Sequence, residues 1–394
     1  MNYILFDDHS WEQLLPLTFT RPVSYIRVGI LTIHEKWEKY LGSEVSSLTK
    51  DYLSVKYPKI IDKVNILINA CLLPSPELLK EIKAINLNEA IVFSGRILAA
   101  RVDNFKAESF DFKSITGLKV KEASTAPLTI DFPWQIFQFN GDEIKNDFAL
   151  ITEGRKSALL STTMNLLNPE NIFVEEGFKG EFATINASSG PVYLGKDSEI
   201  MEGAIVRGPF ALCEHSTLKM GAKIYGPTTI GPGSKAGGEI NNSVIFGNSN
   251  KGHDGFLGNS VIGEWCNIGA DSNNSNLKNN YAIVKLWSYP EERFIDTGLQ
   301  FCGLIMGDHS KCGINTMFNT GTVVGVNANI FGDGFPRNFI PSFSWGGSAG
   351  FITFAIPKAF EVAEKVMARR NIVFDEKEQS ILRAVFELTE KYRR

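Results

Sequence analysis

Two of the five histidines in this 394-residue chain stand in glycine-flanked settings that suit proton transfer. His253 lies in Lys251-Gly-His-Asp-Gly255, and His309 lies in Gly307-Asp-His-Ser-Lys-Cys-Gly313. Imidazole takes up and releases a proton near neutral pH, so a histidine held on a rigid wall beside a cleft can act as a general base. A lone histidine is more often structural, and the setting shared by these two makes each a candidate base. A second set of charged groups opens the chain, where the apolar run Tyr3-Ile-Leu-Phe6 ends in Asp7-Asp8. Carboxylates at the carboxyl end of a buried strand are where open α/β sheets keep their chemistry. Beyond them come Leu17-Thr-Phe-Thr-Arg21-Pro22 and Arg27-Val-Gly29-Ile-Leu-Thr-Ile-His-Glu-Lys36-Trp37. Forked guanidinium donors beside a glycine can hold phosphate. Equally, these arginines can pair with Asp7, Asp8 or Glu12.

The elements that must position these groups follow from periodicity. From Gly190 to Gly238 every sixth residue is aliphatic: Leu194, Ile200, Val206, Leu212, Leu218, Ile224, Ile230, Ala236. A helix repeats at about 3.6 and a strand at about 2. A period of six predicts a hexapeptide-repeat parallel β-helix, with one inward aliphatic per short side and glycine or asparagine at positive-φ corners. The row slips between Glu239 and Gly258, which takes in His253, and resumes at Val261-Ile-Gly. A second break, Asn273 to Gly298, contains Trp287-Ser-Tyr-Pro-Glu-Glu-Arg, and the period returns at Met306, Cys312, Phe318, Val324 and Ile330. Breaks in a solenoid become loops on one face, often the binding face. Ahead of the solenoid, strands at Val64–Asn69, Ala90–Ser94 and Ile97–Arg101 alternate with a helix over Pro76–Ile85, which predicts an α/β domain. Trp134, Phe137 and Phe139 fall in a segment closing it. After Pro357 two amphipathic helices, the second with Asp375 as N-cap, predict a cap over the last coil. The predicted division is residues 1–165, 166–356 and 357–394.

Composition excludes several function classes. A net charge of −4 offers no basic field for nucleic acid or an anionic membrane. Five cysteines without CxxC spacing argue against disulfide or metal frameworks and for a reducing, cytoplasmic setting. No signal peptide and no membrane-spanning run are expected.

The second half resembles the acetyltransferase half of the bifunctional N-acetylglucosamine-1-phosphate uridylyltransferase/glucosamine-1-phosphate acetyltransferase family. The likeness rests on Lys251-Gly-His253-Asp-Gly-Phe-Leu-Gly258-Asn and Val261-Ile-Gly-Glu-Trp-Cys-Asn-Ile-Gly269-Ala270. It implies a left-handed β-helix, an acetyl-CoA donor, His253 as the base for the sugar amine, and His309 as its rival. It further implies substrate contacts at Lys223, Glu239, Asn241, Phe256 and Asn276, an acetyl-CoA site near Gly269, Ala270 and Gly313, and a homotrimer. Lys223 stands where the family has arginine, Asn241 where it has lysine, and Phe256 where it has tyrosine. Backbone N–H groups of the glycine-rich coils are expected to hold the developing oxyanion. The first half resembles a divergent sugar nucleotidyltransferase, a Rossmann-like α/β domain, through Leu-Thr-Phe-Thr-Arg-Pro and the stretch from Arg27 to Trp37. The Gly-x-Gly-Thr-Arg-Met phosphate loop is missing, and Asn69 stands where the family's metal-binding aspartate belongs. The resemblance therefore implies Mg2+ on Asp7 or Asp8, and UTP phosphates held by Arg21, Arg27, Gly29 and Lys36. The product expected from both halves together is UDP-N-acetylglucosamine. The alternatives are acetyl transfer alone, or a sugar-nucleotide-sensing scaffold.

Overall fold

The computed structural model describes residues 1–393 and divides them into two compact units. The first comprises Met1–Leu14, Thr20–Ile26 and Leu31–Phe132, and the second comprises Leu15–Phe19, Arg27–Ile30 and Pro133 onward.

The first unit is built on a six-stranded mixed sheet in the order Ser46–Leu48, Asn2–Phe6, Val64–Asn69, Arg96–Asp103, Glu89–Phe93, Lys119–Glu122. Its first three strands run parallel, while Glu89–Phe93 and Arg96–Asp103 form an antiparallel hairpin. The two hairpin-turn residues, Ser94 (φ 50°) and Gly95 (φ 80°), both have positive φ, as a tight turn matched to strand twist requires. Ile4, Phe6, Leu67 and Ala100 form part of its core. The helix Ile33–Leu41 starts at a capping box of Thr32 and Glu35 and ends at Gly42 in the left-handed region. This helix buries Lys36 and Trp37, whose indole N–H donates to the Leu72 carbonyl at 3.0 Å.

The second unit is the expected three-sided parallel β-helix, its sheets carrying six, nine and ten strands. The hexad row is its core: Leu194, Ile200, Val206, Leu212, Leu218, Ile224, Ile230 and Ala236 are all buried in one cluster. Parallel pairing stacks them in register, as in Val206↔Ile224 and Leu218↔Ala236. The helix Pro133–Thr152 belongs to this unit, so the first unit ends at Phe132 rather than at 165. The reason is close packing: a Cβ on Gly141 would lie 2.7 Å from the Pro227 ring. Asn140 also accepts from Thr229 at 3.0 Å and from the Gly29 N–H at 2.8 Å. The break after Asn273 emerges as an antiparallel hairpin, Lys285–Ser288 with Arg293–Asp296. The helices Ile356–Ala368 and Glu376–Leu388 follow the last coil, and Asp375 accepts from the Glu378 N–H as the N-cap. Phe386 meets Phe343 of the final coil edge-on at 5.0 Å. All five cysteines are buried and none is in a disulfide. Among the described residues no helix is long and apolar enough to cross a membrane.

Candidate functional site

The first sheet of the β-helix gathers the candidate substrate contacts. Strands Lys223–Tyr225, Glu239–Asn241 and Phe256–Gly258 are consecutive neighbours, with Lys223, Glu239 and Phe256 in register and Tyr225, Asn241 and Gly258 in the row beside them. Alternate residues of a strand share a face, so both rows look outward while Ile224, Ile240 and Leu257 fill the core. Asn276 reaches the same place: its amide donates to Asn259 at 2.8 Å, and a Cβ on Gly258 would collide with it at 2.7 Å and with the Phe256 ring at 2.5 Å. Glycine at 258 is thus required for this approach. Tyr225, which the sequence reading passed over, donates its hydroxyl to the Glu239 carboxylate at 2.5 Å. That hydrogen bond pushes the phenol up to about 12 and fixes the rotamer of Glu239. The signal was available, because Tyr225 lies two residues beyond Lys223 on one strand.

His253 is exposed at the corner that leads from the third sheet into this one. Below it the corner is shortened: Gly237 and Gly238 alone join Lys235–Ala236 to Glu239–Asn241, whereas Gly252–Gly255 fill the same turn in the next coil. A Cβ on Gly238 would lie 2.8 Å from the His253 carbonyl, and one on Gly237 2.7 Å from the Gly252 carbonyl. Two glycines therefore let the coil recede beneath the histidine. The turn is held from inside by Lys251, a second residue the sequence reading gave no role. Its ammonium occupies the inward position in register with Ala236 and donates to the carbonyls of His253 (2.6 Å), Gly237 (3.0 Å) and Asp254 (3.3 Å). Burial pulls its pKa down to about 8.

Gly269, Ala270 and Gly313 continue along the same corner in the coils beyond His253. A Cβ on Gly269 would lie 2.3 Å from the Gly313 carbonyl, and the Asp271 N–H donates to the Asp254 carbonyl at 3.0 Å. The N–H groups of Gly269 and Gly313 are donated to Cys312 (3.1 Å) and Ile330 (2.8 Å), so these two do not supply the expected oxyanion donors. What they contribute is a wall without side chains.

His309 stands apart. It occupies the corner between the second and third sheets, with φ 59°, in the column where His215, Asn248, Trp265 and Asn327 also adopt the left-handed region. It is buried, and its ring stacks on Trp265 at 6.2 Å. The structure therefore places His253, and not His309, beside Lys223, Glu239, Asn241, Phe256 and Asn276.

In the first unit, Asp7 and Asp8 do not fit a magnesium ion. Asp8 accepts from Arg96 Nε (2.7 Å) and Nη2 (3.0 Å), Asn69 (2.8 Å) and the Ser10 N–H (2.9 Å). Burial would raise its pKa, but the bonds and charge of Arg96, with Asn69 and Ser10, hold it at about 2. Arg96 also reaches Asp131 at 2.7 Å, so a guanidinium occupies the place a metal would take. Asp7 accepts from Thr49 (2.6 Å) and the Val23 N–H (3.0 Å), and complete burial raises its pKa to about 7. A carboxyl that is half protonated near neutrality and another already neutralised are poor ligands for a hard cation. Of the expected phosphate-binding set, Arg21 and Lys36 fall in the first unit and Arg27 and Gly29 in the second. Lys36 is 1% exposed on the inner side of its helix, and Arg21 is buried as well. Arg27 donates to the Ile30 carbonyl, and Gly29 is glycine because a Cβ there would lie 2.4 Å from Asp147.

A family model described as sugar nucleotidyl transferase matches residues 3–156. A bifunctional GlmU protein of Methanococcus maripaludis is 34% identical over 94 residues, covering 23% of this chain and 22% of that protein. An uncharacterized acetyltransferase, YaiX, of Escherichia coli is 28% identical over 148 residues, 37% of this chain and 64% of that protein. A bifunctional sugar-1-phosphate nucleotidylyltransferase/acetyltransferase of Sulfurisphaera tokodaii is 28% identical over 144 residues, 36% of this chain and 35% of that protein. The chain thus spans about a fifth of the first relative's length and under two thirds of the second's.

Proposed function

We propose that the chain is an acetyl-CoA-dependent N-acetyltransferase acting on an amino-sugar phosphate, with glucosamine-1-phosphate as the first substrate to test. The observation that carries this reading is His253, exposed above the Gly237-Gly238 recess at the edge of a sheet face bearing Lys223, Tyr225, Glu239, Asn241 and Phe256. The relatives named as acetyltransferases support it. In this mechanism the imidazole of His253 takes a proton from the sugar amine as the nitrogen attacks the thioester carbonyl. The C–N bond forms, the C–S bond breaks, and the departing thiolate recovers a proton from the imidazolium. Lys223 attracts the sugar phosphate, and Glu239, held by Tyr225, orients the hydroxyls. The glycine corners at Gly269 and Gly313 leave room for the pantetheine arm.

Thiol release from acetyl-CoA in the presence of glucosamine-1-phosphate tests the reading. His253→Ala is expected to lower kcat roughly 10²–10⁴-fold, the usual contribution of a positioned base. His309→Asn is expected to keep its rate, since asparagine already serves in that corner column. A His253→Ala protein with the wild-type rate would sink the proposal. We derive no uridylyl-transfer step, because the carboxylates of the first unit do not fit magnesium.

A further inference from the structure

The structure points to a second small-molecule site, on a different edge of the β-helix from His253. Between the inserted hairpin, the last coils and the C-terminal turn lies a cleft of about 680 Å³. That is within the roughly 300–1,000 Å³ of small-molecule sites. One wall is aromatic: Trp287 stacks on Phe339 with ring centres 4.2 Å apart and planes 11° apart, and Tyr392 stands edge-on to Phe339 at 5.7 Å. The other wall is cationic, formed by Lys278, Lys285 and Arg337. Lys285 faces the carboxylate of Asp296 at 3.8 Å, and both side chains are largely exposed. Lys278 donates to the Ile283 carbonyl at 3.0 Å, and Arg337 lies over the Phe351 ring at 5.8 Å. Three cations thus line the cleft against two carboxylates, Asp296 beside Lys285 and Glu292, which accepts from the Tyr392 hydroxyl at 3.3 Å and pairs with Lys391 outside the lining. Trp287 also carries an indole N–H shielded from water and without an acceptor among the described residues.

We propose that this cleft binds a nucleoside phosphate, its base lying against the Trp287–Phe339–Tyr392 wall and its phosphates meeting Lys278, Lys285 and Arg337. Aromatic walls favour planar rings, and clustered lysine and arginine favour a multiply charged phosphate over a neutral ligand. The acetyltransferase reading assigns this cleft no role. A free nucleotide and the nucleotide end of an acyl carrier such as CoA share this chemistry.

Calorimetric titration of the full chain with UDP and with adenosine 3′,5′-bisphosphate tests the assignment. Uridine, inorganic pyrophosphate and glucose 1-phosphate serve as partial ligands. At least one nucleotide is expected to bind saturably and at least tenfold tighter than any partial ligand. Preference for UDP identifies a free nucleotide, and preference for the bisphosphate identifies the carrier. Trp287→Leu and Arg337→Glu are each expected to weaken that binding tenfold or more. Arg337 is exposed, so its variant stays decisive if the tryptophan variant does not fold. A wild-type chain that binds neither nucleotide overturns the proposal. So does glucose 1-phosphate binding as tightly as the nucleotide, or unchanged affinity in Arg337→Glu, which would place the nucleotide elsewhere.

Discussion

At the scale of single residues, Asp7 and Asp8 show how neighbours decide what a carboxyl can do. Both end the same strand, yet Asp8 is held ionised by Arg96 while Asp7 is pushed up to about 7 by burial. A carboxyl whose folded pKa lies above its unfolded value stabilises the fold fully below the unfolded value, near 3.8, and loses that contribution as pH rises through about 7. The shift of about 3 units is on the order of 4 kcal/mol. Asp7→Asn, which keeps a carbonyl oxygen for the Thr49 hydroxyl, is therefore expected to be more stable than wild type at pH 8. The gap should close below pH 4, read by urea denaturation at each pH. Magnesium should leave the melting temperature unchanged, whereas a cation bound by these carboxylates would raise it. The position of these carboxylates at a strand's end was legible from the apolar run before them. Their partner was not, because Arg96 lies 88 residues away and only the sheet order brings it across.

At the scale of the element, the six-residue row made the β-helix legible, and its slip marked the place of the proposed site. The slip has a physical cause that a fixed frame cannot show. Leu218 pairs with Ala236 after eighteen residues, but Ala236 pairs with Lys251 after fifteen, because the coil loses two residues at the Gly237-Gly238 corner and one at the Asn242-Ser243 corner. A lysine therefore arrives at an inward position where the six-residue frame does not look for one. His309 escaped for the opposite reason: it belongs to a column of left-handed corners defined by spacing across coils, and its neighbouring residues do not reveal it. On the proposed mechanism Lys251 is a positioning residue, acting through the His253 carbonyl. Lys251→Met is expected to lower kcat about tenfold or more while leaving KM for acetyl-CoA within about twofold, as a misplaced base would. The pH dependence of stability separates this from general damage. The folded lysine titrates near 8 against an ordinary 10.5, so between those values its own contribution to stability rises with pH. Lys311, also near 8 through burial, adds a similar rise, and the buried thiols of Cys71, Cys302 and Cys312 oppose both, so the test is the difference between the proteins: wild type should gain stability on the methionine variant as pH rises from 8 to 10.5.

At the scale of the whole molecule, several of the exposed apolar side chains of the β-helix lie along the edge that carries the proposed active site. Ile205 stands on the first sheet in register with Lys223 and is 54% exposed. Met317 is exposed on the extension of that sheet, and Phe182, Met220 and Ile314 are exposed at the corners leading into it. A row of large apolar groups along one edge is costly to leave in water, at roughly 1.5–3 kcal/mol for each side chain that could be fully buried. Copies of the same chain packed edge to edge around a threefold axis would cover it and would enclose His253 between two subunits. We therefore expect light scattering to give a mass three times 43.7 kDa. The double variant Ile205→Asp/Ile314→Asp is expected to run as a monomer, since carboxylates cannot be buried there without partners. If the acetyl donor lies between subunits, that monomer should retain its melting transition yet lose thiol release at least tenfold. An active monomer, wild type or variant, would place the whole reaction within one chain and remove the need for the neighbour.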